Sequence, residues 1–217
     1  MNAQTERLTL SGPAGAIEVV RDAATLADGV AAPRGVALIA HPHPLFGGTM
    51  DNKVVQTLAR AFVQCGWTAV RFNFRGVGST EGVYDEGRGE LQDLLAVVEQ
   101  FAPAAEGQRI ALAGFSFGAF VTSHALATLW PQGRVDHAVL VGTAASRFTV
   151  APVPPEAHLR TLVVHGEQDD TVPLSAVMDW ARPQILPVTV VPAGGHFFHG
   201  QLPLLKNLVV RHLQSGA

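Results

Sequence analysis

The chain has 217 residues, of which 47% are hydrophobic and 15% charged, and its formal net charge is -3 at pH 7. This composition excludes a disordered chain and predicts a single domain over residues 1–217 with a full-sized core. The absence of a basic cluster argues against nucleic acid as a partner. No apolar stretch is long enough to span a bilayer, and residues 1–7 lack the pattern of a signal peptide. We therefore expect a cytoplasmic protein that binds neither nucleic acid nor membrane.

Two kinds of apolar pattern alternate along the chain. Short alternating or continuous apolar runs predict strands at residues 7–10, 16–20, 35–40, 67–74, 109–113, 135–141, 161–165 and 187–191. Apolar residues at helical spacing predict helices at residues 52–64, 90–101, 117–129, 174–182 and 201–214. This order predicts an α/β fold, with a mostly parallel central sheet and helices on both of its faces.

The loops that follow the strands are the candidate functional segments, because ligands of parallel sheets bind beyond the carboxyl ends of the strands. The segment 113–119, AGFSFGA, places Ser116 between two glycines, after a strand and before a helix. This is the context of a nucleophile elbow, a turn so sharp that only small residues fit two positions before and after the serine. The N–H of Phe117 then begins a helix, where a developing negative charge is stabilised. The alternative is a tight turn whose serine only caps the helix.

Two further loops of this kind carry an acid and a histidine. Asp169 follows the strand at 161–165, and His196 follows the strand at 187–191. Each of these residues alone is common on a protein surface. The chain order Ser116, Asp169, His196, however, is that of the α/β-hydrolase arrangement. In that arrangement His196 takes the proton of the serine hydroxyl, and Asp169 fixes the tautomer of the histidine.

The loop at residues 41–48 follows another predicted strand and can supply a second N–H donor to an oxyanion. Proline has no N–H, so the two prolines of this loop leave His43 or Leu45 as the donor. His41 and His43 together also allow a metal site, but no further ligand follows closely, whereas zinc needs three or four. We therefore expect no metal and no cofactor.

The loop at residues 75–82 half-resembles a dinucleotide fingerprint through Gly76 and Gly78. Glu81 stands where the third glycine belongs, and its charge would repel a pyrophosphate. We therefore interpret this segment as a structural loop in which Arg75 pairs with a carboxylate such as Asp85 or Glu81.

Five segments resemble those of a known family: HPHPLFGGTMDNKVV (41–55), FNFRGVGSTEG (72–82), GFSFG (114–118), HGEQDDTVP (165–173) and GGHFF (194–198). They are similar to small bacterial serine hydrolases of the α/β-hydrolase superfamily, near the dienelactone-hydrolase-like group. The resemblance implies an α/β-hydrolase fold with Ser116 as nucleophile, His196 as base and Asp169 as acid, Asp170 being the neighbouring alternative. Dienelactone hydrolases use a cysteine nucleophile, whereas the cysteine of this chain, Cys65, lies outside the elbow.

Residues 142–160 are the whole connection between two predicted strands, at the place where many lipase-like relatives carry a helical lid. We therefore expect a minimal lid or none, and an open cleft to which Phe46, Phe115 and Phe197 contribute an apolar, substrate-binding lining. The favoured function is hydrolysis of carboxylic esters with small or short acyl groups through an acyl-enzyme. The alternatives are an acyl-thioesterase or small peptidase with the same three residues, or a binding module without catalysis.

Overall fold

The computed structural model of this chain describes residues 5–215. Both ends of the predicted single domain, residues 1–4 and 216–217, lie outside the described residues, and so does most of the segment inspected for a signal peptide. In the described range, no helix has the length and the hydropathy needed to cross a membrane.

The strands of the described chain form one sheet. They are β1 (Thr5–Gly12), β2 (Gly15–Asp22), β3 (Val36–Ala40), β4 (Thr68–Phe72), β5 (Ile110–Phe115), β6 (Val135–Val141), β7 (Thr161–Gly166) and β8 (Val188–Val191). Their order across the sheet is β1-β2-β4-β3-β5-β6-β7-β8. Strand β2 is antiparallel to β1 and β4, and all other neighbouring pairs are parallel. The mostly parallel sheet is therefore confirmed.

The helices cover both faces of this sheet. They are α1 (Lys53–Gln64), α2 (Arg88–Phe101), α3 (Phe117–Leu129), α4 (Leu174–Ala181) and α5 (Leu202–Gln214). Helices α1 and α5 share one apolar cluster with the sheet, and α2, α3 and α4 share the other. Every residue of β3 and of β5 is buried as a result, which explains their continuous apolar sequences.

Most element boundaries differ from the prediction by one or two residues, and two of these differences have an identifiable reason. Strand β5 continues to Phe115, because that residue still pairs with Val141 of β6. Helix α2 begins earlier than predicted, because the buried side chain of Glu90 accepts the N–H groups of Asp85 and Gly87 at 2.9 and 2.8 Å. Periodicity also missed the short 3₁₀ turns, at Pro44–Phe46, Ala104–Glu106, Trp130–Gln132, Pro155–Arg160 and Arg182–Gln184.

The loop after β4 is held by an ion pair that differs from the predicted one. The Nε and Nη2 atoms of Arg75 lie 3.0 and 2.8 Å from the carboxylate oxygens of Asp93 in α2. The predicted pairing with Asp85 or Glu81 is wrong, since Asp85 pairs with Arg88 and Glu81 accepts a backbone N–H of β2 at 2.7 Å. Asp85 therefore contacts the first residue of α2, and Glu81 holds its loop against β2.

The strand order creates a crevice at the centre of the sheet. The connection after β3 leads to β4 on one side, and the connection after β5 leads to β6 on the other side. The two connections therefore leave in opposite directions. The carboxyl ends of two such strands leave room for a ligand between their loops. One of these loops contains residues 41–52, and the other is the sharp turn at Ser116.

Candidate active site

Ser116 occupies a strained turn between β5 and α3. Its φ of 57° and ψ of -116° are unusual for a residue with a side chain, and such a conformation costs about 1–3 kcal/mol. A Cβ atom on Gly118 would overlap the carbonyl oxygen of Ala40, and one on Gly114 would overlap that of Gly118. The predicted need for small residues on both sides of the serine thus has a steric cause. The side chain of Ser116 makes no capping bond to α3, which excludes the helix-cap alternative.

The hydroxyl of Ser116 faces a histidine and, beyond it, a carboxylate. Ser116 Oγ lies 3.0 Å from His196 Nε2, and His196 Nδ1 lies 2.7 Å from Asp169 Oδ2. All three residues are buried. Since a carboxylate only accepts, Nδ1 carries the proton of the neutral ring and Nε2 is left to accept the Ser116 hydroxyl proton. The structure therefore brings the three predicted residues into one hydrogen-bonded chain.

The carboxylate of Asp169 is fully engaged. Its Oδ1 accepts the N–H groups of Thr171 and Val172 at 2.9 and 2.7 Å. Burial alone raises the pKa of Asp169, but the bonds from His196 and from the Val172 N–H outweigh burial and hold that pKa below its ordinary value. Asp170, the alternative acid, is exposed, and its carboxylate contacts the Thr171 hydroxyl at 3.3 Å rather than His196.

The loops of Asp169 and His196 are joined by backbone hydrogen bonds. The N–H of Gln168 donates to the carbonyl of Gly194 at 2.9 Å, and the N–H of Glu167 donates to that of Val191 at 3.0 Å. These bonds continue the pairing of β7 with β8 beyond the last sheet residues. They fix the position of the histidine relative to its carboxylate.

The candidate donors to an oxyanion are not equivalent. The N–H of Phe117 opens α3, and no acceptor for it or for the N–H of His43 is found among the described residues. The N–H of Leu45, in contrast, donates to His43 Nδ1 at 3.2 Å. Of the two predicted alternatives, His43 is thus the one with a free N–H.

The ring of His43 is neutral and packed among aromatic side chains. Burial, and next the positive charge of Arg147, lower its pKa. Since Nδ1 accepts from Leu45, the proton lies on Nε2, which is 3.3 Å from the hydroxyl oxygen of Tyr84. The ring centroid lies 5.0 Å from that of Phe117, which follows the elbow serine.

His41 has a structural role. Its Nδ1 donates to the carbonyl oxygen of Pro42 at 2.6 Å, and its Nε2 accepts the N–H of Phe74 at 3.0 Å. Burial lowers its pKa to about 4, so the ring is neutral at physiological pH. Both ring nitrogens are in use, which leaves no free lone pair for the metal alternative.

A cavity of about 290 Å³ opens beside Ser116 and His196. Its walls include Phe46 and Phe197, as predicted, and both are exposed at the surface. Phe115 does not line it. That ring is fully buried, and its centroid lies 4.9 Å from that of His196. Strand β5 extends through residue 115, and the side chain packs in the apolar cluster that α1 and α5 share with the sheet. The predicted substrate contact of Phe115 is therefore corrected to a supporting contact.

The loop between β6 and β7 contributes cavity residues that sequence reasoning missed. Ala144, Arg147 and Phe148 all line the cavity. Their only sequence signal is that they follow a parallel strand, as the other site loops do. The rest of this connection has one 3₁₀ turn, Pro155–Arg160, and no longer helix, in agreement with the expected minimal lid.

The strained serine, its histidine and carboxylate partners, and the sheet that carries them define an α/β serine hydrolase. The chain belongs to the family described as serine aminopeptidase, S33, whose model matches residues 31–155. The matched range includes Ser116 and ends before Asp169 and His196. The family match is consistent with the predicted superfamily, while the predicted dienelactone-hydrolase-like subgroup stays a prediction.

Solved structures of similar proteins agree with this assignment. A lidless α/β serine hydrolase from Xanthomonas campestris is 36% identical, with a TM-score of 0.85 over 99% of this chain and 96% of that one. An α/β serine hydrolase homologue from Coxiella burnetii is 38% identical, with a TM-score of 0.78 over 98% of each chain. An uncharacterized protein of Rickettsia prowazekii is 33% identical over 153 residues, and the alignment spans 66% of this chain and 60% of that protein.

Proposed function

We propose that this protein hydrolyses carboxylic esters with small or short acyl groups through an acyl-enzyme on Ser116. The observation that carries the proposal is the buried chain of hydrogen bonds from Ser116 Oγ through His196 to Asp169, with separations of 3.0 and 2.7 Å. A serine hydroxyl becomes a competent nucleophile only when a base removes its proton as it attacks.

In the acylation step, Ser116 Oγ attacks the ester carbonyl carbon while His196 Nε2 takes the hydroxyl proton. The imidazolium that forms is stabilised by the ionised Asp169 carboxylate, whose pKa is held low by its hydrogen bonds. The oxyanion lies between the N–H groups of Phe117 and His43, and the dipole of α3 adds to its stabilisation. His196 then gives the proton to the departing alkoxide, which leaves as the alcohol.

In the deacylation step, a water molecule takes the place of the alcohol. His196 removes a proton from this water, the hydroxide adds to the acyl carbon, and Ser116 Oγ departs with the proton of His196. One ester and one water thus give one alcohol and one acid. The short connection between β6 and β7 leaves the cavity open for the exchange of alcohol and water.

The size of the cavity supports a small acyl group. Its volume of about 290 Å³ lies just below the roughly 300–1,000 Å³ typical of ligand pockets. The aromatic rings around it favour an apolar chain next to the scissile carbonyl.

The family description makes peptide hydrolysis the second candidate. An aminopeptidase must hold the ammonium group of its substrate, and a carboxylate is the usual partner for that charge. Among the described residues that line the cavity, none is Asp or Glu, and the permanently charged one is Arg147. A cation in this position repels an ammonium group, so the lining favours esters over amino-terminal peptides.

The test compares p-nitrophenyl acetate, butyrate and octanoate with leucine p-nitroanilide, using the wild-type chain and Ser116→Ala. We expect the wild type to cleave the short esters faster than the octanoate and the anilide. Ser116→Ala is expected to lower kcat by about four to six orders of magnitude without loss of folding. Full esterase activity of Ser116→Ala, or faster cleavage of the anilide than of every ester, would refute the proposal.

A further inference from the structure

Arg147 is the permanently charged side chain in the lining of the cavity beside Ser116. It is an exposed residue in the connection after β6. Its backbone N–H and that of Phe148 both donate to the carbonyl of Ala144 at 3.1 Å, which fixes the turn close to the end of the strand. The guanidinium group thus projects from a short, anchored turn.

The guanidinium of Arg147 lacks the partners that most arginines of this chain have. Within the described residues, its side chain forms no ion pair and donates no hydrogen bond, a condition that it shares with Arg211 on α5. Most other arginines of the described chain pair with carboxylates, namely Arg7, Arg21, Arg71, Arg75, Arg88, Arg109, Arg134, Arg160 and Arg182. An arginine that lines a ligand cavity without a partner has all of its donors available to a ligand.

The surroundings leave Arg147 free to bind an anion. The adjoining groove, which Arg147 also lines, contains the carboxylate of Glu86, but that group pairs with Arg88 at 3.2 Å. The positive charge of Arg147 also acts inside the cavity, since it helps to lower the pKa of His43. The field of the guanidinium therefore reaches the wall next to the elbow.

We infer that Arg147 selects esters whose acyl chain ends in a carboxylate, held by the guanidinium while the ester carbonyl lies at Ser116. This inference rests on the proposed ester hydrolysis and names its substrate class. A planar guanidinium binds a carboxylate through two parallel hydrogen bonds. The aromatic walls, among them Phe148 and Phe197, suit the apolar chain between the two ends of such a substrate.

The experiment compares monoethyl adipate with ethyl hexanoate, which share a six-carbon acyl chain and differ in the terminal carboxylate. Acid release is titrated for the wild type, Arg147→Gln and Arg182→Gln. The last variant removes the same charge from an exposed pair with Asp179 that lies outside the cavity lining. In Arg147→Gln, we expect kcat/KM for the adipate to fall by about tenfold or more, while that for the hexanoate stays within about twofold. Arg182→Gln should change neither value.

The inference would be overturned if the ratio of kcat/KM for monoethyl adipate to kcat/KM for ethyl hexanoate were the same in Arg147→Gln and the wild type. If Ser116→Ala abolishes hydrolysis of both esters while that ratio is insensitive to Arg147, the proposed function stands and the inference fails. If Ser116→Ala keeps its activity, both fail. Binding without turnover is tested with free adipate, which has no ester bond, by measuring how well it protects Ser116 from a fluorophosphonate. The protection should be present in the wild type and lost in Arg147→Gln, and equal protection in both would contradict the inference.

Discussion

The backbone N–H of Leu45 donates a hydrogen bond to Nδ1 of His43 at 3.2 Å, inside the turn that follows β3. The bond fixes the proton of the neutral His43 ring on Nε2, which lies 3.3 Å from the hydroxyl of Tyr84. It also occupies the N–H of Leu45 and leaves the N–H of His43 as the second oxyanion donor in the proposed mechanism. The His43 ring thus holds its own backbone in position.

Replacement of the His43 ring should therefore lower turnover although the backbone donor remains. For His43→Ala, we expect kcat to fall by about 10–100-fold with KM within about twofold, because the turn loses the acceptor that orders it. Tyr84→Phe keeps the ring contact and should have a smaller effect. The measurement is steady-state kinetics on p-nitrophenyl butyrate, with thermal unfolding as the folding control. A wild-type kcat in His43→Ala would show that the ring does not position the donor.

Asp169 and Asp170 offer a matched pair of adjacent carboxylates. Asp169→Asn removes the acceptor that sets the His196 tautomer, and we expect kcat to fall by about 10⁴-fold. Asp170→Asn should leave kcat within about twofold, since its exposed carboxylate does not contact His196. Both variants are assayed on p-nitrophenyl acetate. Similar losses in the two variants would contradict the assignment of the acid.

Phe46 and Phe115 should separate substrate binding from stability. Phe46 is 74% exposed at the cavity mouth, so Phe46→Ala should raise KM for butyrate more than for acetate and change the unfolding free energy by less than about 0.5 kcal/mol. Phe115 is fully buried, and Phe115→Ala should cost about 3–5 kcal/mol of stability. Kinetics with the two esters and urea unfolding measure the two effects. A larger loss of stability in Phe46→Ala than in Phe115→Ala would contradict the buried, supporting position of the Phe115 ring.

The chain should lose stability in mild acid because of its buried histidines. Burial lowers the pKa of His41 and that of His137 from 6.5 to about 4. Between these values the unfolded chain binds protons that the folded chain excludes, so the free energy of unfolding falls as pH falls from about 6.5 to 4. His41 alone accounts for about 3 kcal/mol of this loss.

The test measures urea unfolding from pH 7.5 down to pH 4.5 for the wild type, His137→Phe and His199→Gln. The ring nitrogens of His137 have no hydrogen-bond partner among the described residues, so a phenyl ring in its place should make the pH dependence shallower. His199 is exposed, and its replacement should leave the dependence unchanged. An unaltered slope in His137→Phe would contradict this account of acid sensitivity.

The sequence was sufficient to predict the fold and the residues that meet at Ser116, because both follow from local patterns. Strand and helix periodicity gave the α/β order, and parallel strands place their following loops at one edge of the sheet. Ser116, Asp169 and His196 all lie in such loops. The parallel strands place all three loops at one edge of the sheet, but β6 and β7 separate β5 from β8. The contact between His196 and Ser116 therefore also depends on how the loop after β8 folds.

Other features depend on side-chain direction, which periodicity does not give. Arg75 binds Asp93 because α2 turns that carboxylate toward the loop after β4, whereas closer acids in the sequence face elsewhere. The burial of Phe115 depends on where β5 ends. Arg147 belongs to no motif, and its place in the cavity depends on the turn at the end of β6.

Phosphonylation shows directly whether the hydroxyl of Ser116 is an activated nucleophile. The intact chain is treated with a fluorophosphonate, and the adduct is located by peptide mass mapping in the wild type, Ser116→Ala and Asp169→Asn. We expect one adduct per chain on Ser116 in the wild type, none on residue 116 in Ser116→Ala and slower labelling in Asp169→Asn. Two results would contradict the assignment of Ser116 as the nucleophile. One is a folded wild-type chain that stays unlabelled at Ser116, and the other is equal labelling of the wild type and Ser116→Ala.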